Sequence, residues 1–200
     1  MLNKYEEKMI ESLKNVLGGE QKAFSYHQEN GKKNSTPYGD IDILFAKSSP
    51  SKGYLTASTL GMVNRTTGYK DKNSQKEIRA ELIMSSYGGS DLIGKILSTA
   101  AIGICDNGIQ YGYGTLLKGI LEGYLPNSDM KHLFLMLPPP IWSDKFKVID
   151  CEDSIVVFLY ALPISDAEKE YMAEHGIDEL QNHFVQENID MFDLNRKSVL

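Results

Sequence analysis

Lys131–Asn188, KHLFLMLPPPIWSDKFKVIDCEDSIVVFLYALPISDAEKEYMAEHGIDELQNHFVQEN, is the stretch that decides the fold. It holds two unbroken apolar runs, Leu133–Leu137 and Ile155–Leu162. Neither alternates polar with apolar, and both are short and rich in β-branched or aromatic residues, which predicts buried strands at the centre of a sheet. The first run ends in Pro138-Pro139-Pro140, which cannot continue a ladder because proline has no N–H to donate. The second ends at Pro163, and Ser165 with Glu168 three residues on forms a capping-box pattern that starts a helix. Gly176 breaks that helix, and Ile177, Leu180 and Phe184 lay an apolar stripe along a second one. With Met172 from the first, these residues are expected to face the sheet. Trp142, after the three prolines, is expected to plug the core beneath the turn, where its Nε1–H needs a partner.

The elements of this stretch also occur in a familiar order. LPPPIW, a buried strand closing in ALPIS, and then DAEKEYMAEHGIDEL together resemble the suppressor-of-fused (Sufu-like) domain family. The flanks PNSDMKHLF and ENIDMFDLNR resemble its bacterial branch more specifically, the immunity proteins (antitoxins) that partner polymorphic toxins, including those of the LXG type. The resemblance is sharpest over residues 124–196. It implies a single Sufu-like domain over residues 1–200, in which a mixed, mostly antiparallel sheet is flanked by helices.

Working outward from that unit, the rest of the chain supplies more strands and two more helices. Tyr5, Met9, Leu13, Val16 and Leu17 share one face of a first helix that Gly18-Gly19 ends, and that helix is expected at the periphery. Ala23–Gln28 reads as a strand and Glu29–Pro37 as a polar loop. Asp40–Lys47 alternates as a half-buried strand, and Tyr54–Val63 is another, with Gly61 at a bulge. Asn64–Lys76 is polar and expected to be an exposed, peripheral loop. Glu77–Tyr87 places Ile78, Ala80, Leu82 and Met84 on one face of a strand. Ser90 is then a candidate N-cap for a helix over Asp91–Cys105. Strands in runs, with helices at the start, middle and end, argue for α+β rather than strict βα alternation.

Two hundred residues suit one domain with a sizeable core. MLNKYEEKMIESLK interleaves charges where a signal peptide needs an apolar run, and Asp91–Cys105 is too short to span a bilayer, so the expectation is a cytoplasmic protein without a membrane partner. Two cysteines, Cys105 and Cys151, make no disulfide framework. The formal charge of −6 is unevenly spread: residues 150–200 hold twelve acids against three bases, so they carry −9 and leave +3 on the rest. An acidic quarter of this kind opposes nucleic-acid binding and favours a basic partner, with a solvated helix face as the plain alternative.

No catalytic constellation is legible. Gly88-Gly89-Ser90 lacks a P-loop lysine, and His27, His132, His175 and His183 form no HExxH motif. Cys105 has no activating histidine or CxxC partner, and there is no GxSxG elbow. The expectation is a non-enzyme without cofactor or metal. Its partner-binding candidates are Glu170, Glu174, Asp178 and Glu179 on the acidic helices. Tyr111 and Tyr113 join them because tyrosines in loops often anchor interfaces.

The resemblance implies an immunity protein that blocks a cognate toxin stoichiometrically. A nuclease toxin would fit, since its phosphate-binding site must be basic. A Sufu-like adaptor that captures a peptide by strand addition at a sheet edge is the alternative. The sequence leaves the oligomeric state open.

Overall fold

The computed structural model describes residues 4–26, 41–142 and 145–200. His27, the end of the predicted strand at Gln28, the polar loop 29–37 and Asp40 lie outside them. In chain order the elements are α1 (Lys4–Leu17), β1 (Glu20–Tyr26), β2 (Ile41–Lys47), β3 (Tyr54–Leu60), β4 (Glu77–Tyr87) and α2 (Leu92–Asp106). Then come β5 (Leu116–Leu117), β6 (Met130–Met136), β7 (Ile149–Asp150), β8 (Ser154–Ser165), α3 (Asp166–His175) and α4 (Ile177–Gln186). One sheet runs β1-β2-β3-β4-β8-β6-β5, with β7 also paired to β8. Among the described strands only β4 and β8 pair in parallel, Glu77 lying opposite Ser154 and Ile83 opposite Tyr160. Parallel neighbours need a crossover, and α2 with the segment after it supplies one. The fold is α+β with an open, mostly antiparallel sheet.

The unbroken apolar runs are explained by cover on both faces. On one face α2 presses Ile93, Ile96, Leu97, Ala100 and Ile104 onto Ile43, Leu82, Met84 and Leu159. On the other, Met9 and Leu13 of α1 and Leu180 and Phe184 of α4 meet Ile83, Phe158, Tyr160 and Leu162. α1 is therefore half of the second layer rather than a peripheral helix. β2 is likewise buried on both faces from Ile43 to Ala46, because Leu44 and Ala46 join the α1 layer. β8 sits inside the sheet, as its composition required, whereas β6 lies one strand from the edge, bordered among the described strands only by two-residue β5. Val157 is only half-buried; its neighbour Val156 is fully buried.

Local chemistry sets the element ends. Gly19, at φ 64°, brings its α-carbon so close to the Lys47 carbonyl that a Cβ would sit 2.2 Å from the oxygen. Only glycine permits that turn from α1 into β1. Asp91, not Ser90, occupies the N-cap position of α2, although Ser90 Oγ still accepts from the Leu92 N–H at 3.2 Å. The polar segment 64–76 folds back along β4: Thr67 N–H donates to the Ile78 carbonyl, Ile78 N–H to that of Tyr69, and Thr67 is buried. Trp142 is the expected plug, packed on Phe146, Tyr160 and Phe192, but its buried Nε1–H finds no acceptor among the described residues.

One carboxylate lies deep within the sheet. Glu81, in β4, is fully buried and accepts from Thr59 Oγ1 at 2.5 Å and from the backbone N–H groups of Gly61 (2.8 Å) and Val63 (3.2 Å). It ties β4 to the end of β3 and to the 3-10 turn Met62–Asn64. Burial pushes its pKa up to about 7, against the opposing pull of those three donors.

Candidate functional site

The acidic helices are built as the sequence pattern requires. Ser165 Oγ accepts from the Glu168 N–H and Glu168 Oε2 accepts from the Ser165 N–H, both at 3.0 Å, closing the capping box. Gly176, at φ 91°, turns the chain between the helices in a conformation that side chains disfavour. Leu180 and Phe184 are buried, with Met172 and Ile177 half-buried beside them.

That orientation leaves Glu170, Glu174, Asp178 and Glu179 exposed. Among the described residues no basic side chain lies within 4.0 Å of Glu170, Asp178 or Glu179, and Glu174 has only His175, at 3.8 Å. Asp178 and Glu179 sit in the first turn of α4, where the helix dipole favours them. Glu174 is next to the last residue of α3, where the dipole opposes a negative charge.

The two candidate tyrosines part company. Tyr113 is about half exposed, and its hydroxyl accepts from Gln181 Nε2 of α4 at 3.1 Å, so it stands beside the acidic helices. Tyr111 is fully buried instead, with its hydroxyl donating to the Ala80 carbonyl at 3.0 Å. Its ring belongs to the core under α2, and it has no surface to offer a partner.

Two networks hold this face in place, and sequence reasoning found only a corner of one. Glu168 is more than a cap: Arg196 Nη1 and Nη2 donate to its two carboxylate oxygens at 2.6 and 2.7 Å, and the Val199 N–H donates at 3.3 Å. Arg196 Nη2 also donates to the Pro163 carbonyl at 2.9 Å. Both charges are buried, so the pair clamps residues 196–199 across the start of α3. Asp166 is the second hub, accepting from Lys131 Nζ at 2.7 Å and from Lys169 and His132. Hydrogen bonds from Lys131, then Lys169 and His132, hold its carboxyl far below the ordinary carboxylate range. His132 Nδ1 accepts from the Gly119 N–H, so Nε2 carries the proton given to Asp166. Lys131 and His132 precede the first apolar run, but only the β6–β8 register sets them beside Asp166.

Among the described residues no three His, Cys, Asp or Glu side chains gather as metal ligands, and no helix is long and apolar enough to cross a membrane.

This layered α+β sheet with its capped acidic helices defines a recognised class of domain. The family model for suppressor of fused protein (SUFU) matches residues 38–197, and the chain belongs to that family. Among curated relatives, "Immunity protein YqcF" of Bacillus subtilis (strain 168) is 31% identical over 185 residues, covering 92% of each chain. A solved SUFU homologue from Neisseria gonorrhoeae FA 1090 superposes with a TM-score of 0.74 at 18% identity, over 98% of this chain and 97% of that one. The Sufu–Fu complex superposes at 0.66 with 12% identity, over 96% and 91%. Drosophila Suppressor of Fused superposes at 0.62 with 12% identity, and there this chain spans half of the longer protein. At those identities the solved structures speak for the fold.

Proposed function

We propose that this chain is a cytoplasmic immunity protein that neutralises a cognate toxin domain, of the LXG-associated kind, by non-catalytic one-to-one binding. The observation that carries the reading is the Bacillus subtilis relative, named as an immunity protein and matched over nearly the whole of both chains. The exposed carboxylates of α3 and α4 support a basic partner, and a nuclease is the toxin chemistry that best supplies one. Glu170, Glu174, Asp178 and Glu179 would meet the toxin's phosphate-binding site, with Tyr113 as an aromatic contact at the margin. Tyr111, in the core, takes no part.

Titration of the neighbouring open reading frame's toxin product with purified protein, in the absence of added metal, tests this. Toxin activity should end at an equivalence point of one to one. Protection by far less than stoichiometric amounts would sink the reading and point to an enzyme that modifies the toxin.

A further inference from the structure

Among the described residues β1 pairs on one side only. Its register with β2 runs without a bulge from Glu20 opposite Lys47 to Tyr26 opposite Ile41, and among the described residues no strand pairs with its other edge. Five of its seven residues are exposed, Phe24 at 54%; Gln21 and Tyr26 are half-buried. Natural sheets guard such edges with bulges, prolines or charged side chains, lysine above all. β1 has no proline, and its one lysine, Lys22, is occupied by Glu20 at 2.8 Å. Beside the edge, towards the start of α2, lies a cleft of about 490 Å3 walled by Phe24, Tyr26, Phe45 and Leu55 and rimmed by Lys22 and Asp91.

We propose that β1 is a self-association edge, on which a second copy of this chain adds its own β1 antiparallel about a two-fold axis at Ala23. The strand reads compatibly against its own reverse. Glu20 falls opposite Tyr26, Gln21 opposite Ser25, Lys22 opposite Phe24, and Ala23 opposite itself. No like charges face each other across any rung, and each Lys22 ammonium lies over the Phe24 ring of the other copy. The strand's own charges cancel, and it lies in the part of the chain that carries +3, away from the acidic residues 150–200. The axis is perpendicular to the sheet, so Glu20, Lys22, Phe24 and Tyr26 of both copies share one face. There the second Phe24 and Tyr26 extend the apolar wall of the cleft. The result is one continuous sheet across two copies, an interface separate from α3 and α4.

Light scattering after gel filtration of the full chain, over a wide range of concentration, tests this. The expected mass is twice the 22.4 kDa of one chain. Ala23→Lys sets two ammonium groups on the axis and should give the single-chain mass while still unfolding in one cooperative transition, since Ala23 is exposed, with its melting no longer dependent on protein concentration. Ala23→Cys, treated with a short bis-maleimide, should cross-link as a dimer under conditions in which wild type, with its half-buried Cys105 and buried Cys151, does not. A monomeric wild type overturns the proposal, as does a dimer that survives Ala23→Lys or that Ala23→Cys fails to capture. If Ala23→Lys does not fold, the small Ala23→Cys substitution decides alone. Loss of toxin binding by Ala23→Lys from a monomeric wild type would likewise overturn it, assigning the edge to the partner's strand.

Discussion

Replacing Glu81 with glutamine should remove a fall in stability that the wild-type protein suffers between weakly acidic and weakly alkaline pH. The carboxyl has a pKa of about 7 in the fold against an ordinary 4.5. Below 4.5 both the folded and the unfolded chain hold the proton, and above 7 neither does. In between, the folded state holds more protons than the unfolded one, so stability falls as pH rises. The difference of about 2.5 pKa units corresponds to about 3 kcal/mol at 1.36 kcal/mol per unit. For a chain of this size that is roughly 6–12 °C in melting temperature. Glutamine reproduces the protonated side chain: its carbonyl oxygen can accept from Gly61 and Val63 while its amide donates to Thr59 Oγ1. Urea unfolding of both proteins at several pH values from 4.5 to 8 measures the effect. The difference between the curves isolates Glu81 from every other group, Asp166 included. Parallel curves would refute the reasoning and show that water or a rearrangement reaches the carboxylate.

Breaking the Glu168–Arg196 clamp by Arg196→Ala should cost about 3–5 kcal/mol, because it strands a buried carboxylate. Arg196→Met with Glu168→Leu should recover part of that in the same unfolding assay, and no recovery would mean the arginine acts through packing alone. Val156→Asp should unfold the protein, whereas Val157→Asp, at a half-buried position of the same strand, should leave a lower but measurable melting transition. Equal losses would contradict the assigned faces of β8. Reversing Glu170, Glu174, Asp178 and Glu179 to lysine should leave the fold intact, with melting lowered modestly because Asp178 and Glu179 leave the N-terminal turn of α4, and should slow association with a basic toxin domain at low salt, seen in stopped-flow on-rates. An unchanged on-rate would show these acids to be a solvated face only.

Local pattern carried the sequence reading where local physics rules. The apolar runs announced β6 and β8, the capping box announced α3, and the stripe at Leu180 and Phe184 fixed which side of α4 would be wet. What stayed illegible depends on residues far apart in the chain. Tyr111 sits among glycines and polar residues that suggest a surface turn, and its burial follows from reaching Ala80, thirty-one residues away. Arg196 lies in an acidic segment where it looks like an ordinary surface cation, and only the fold returns it to Glu168. The alternation of Ile41, Ile43 and Phe45 with Asp42 and Leu44 gave β2 the look of a strand with one wet face, and the burial of Leu44 and Ala46 follows from α1 lying over them. Glu81 carries no sign of burial beyond its position in an apolar strand. For α3 and α4 the pattern gave the exposed acids. It could not say which tyrosine would stand beside them.

The parallel seam between β4 and β8 has a consequence for how the chain finds and leaves this structure. β1 to β4 form a meander in which each strand pairs with the next in sequence. β4 and β8 join residues 77 positions apart, as in Glu77 opposite Ser154. Closing so long a loop costs entropy before any contact rewards it, so the meander and the β6–β8 unit should each gain order before the seam zips. In hydrogen exchange, amides bonded across β4–β8 should lose protection together, as a unit distinct from those inside the meander.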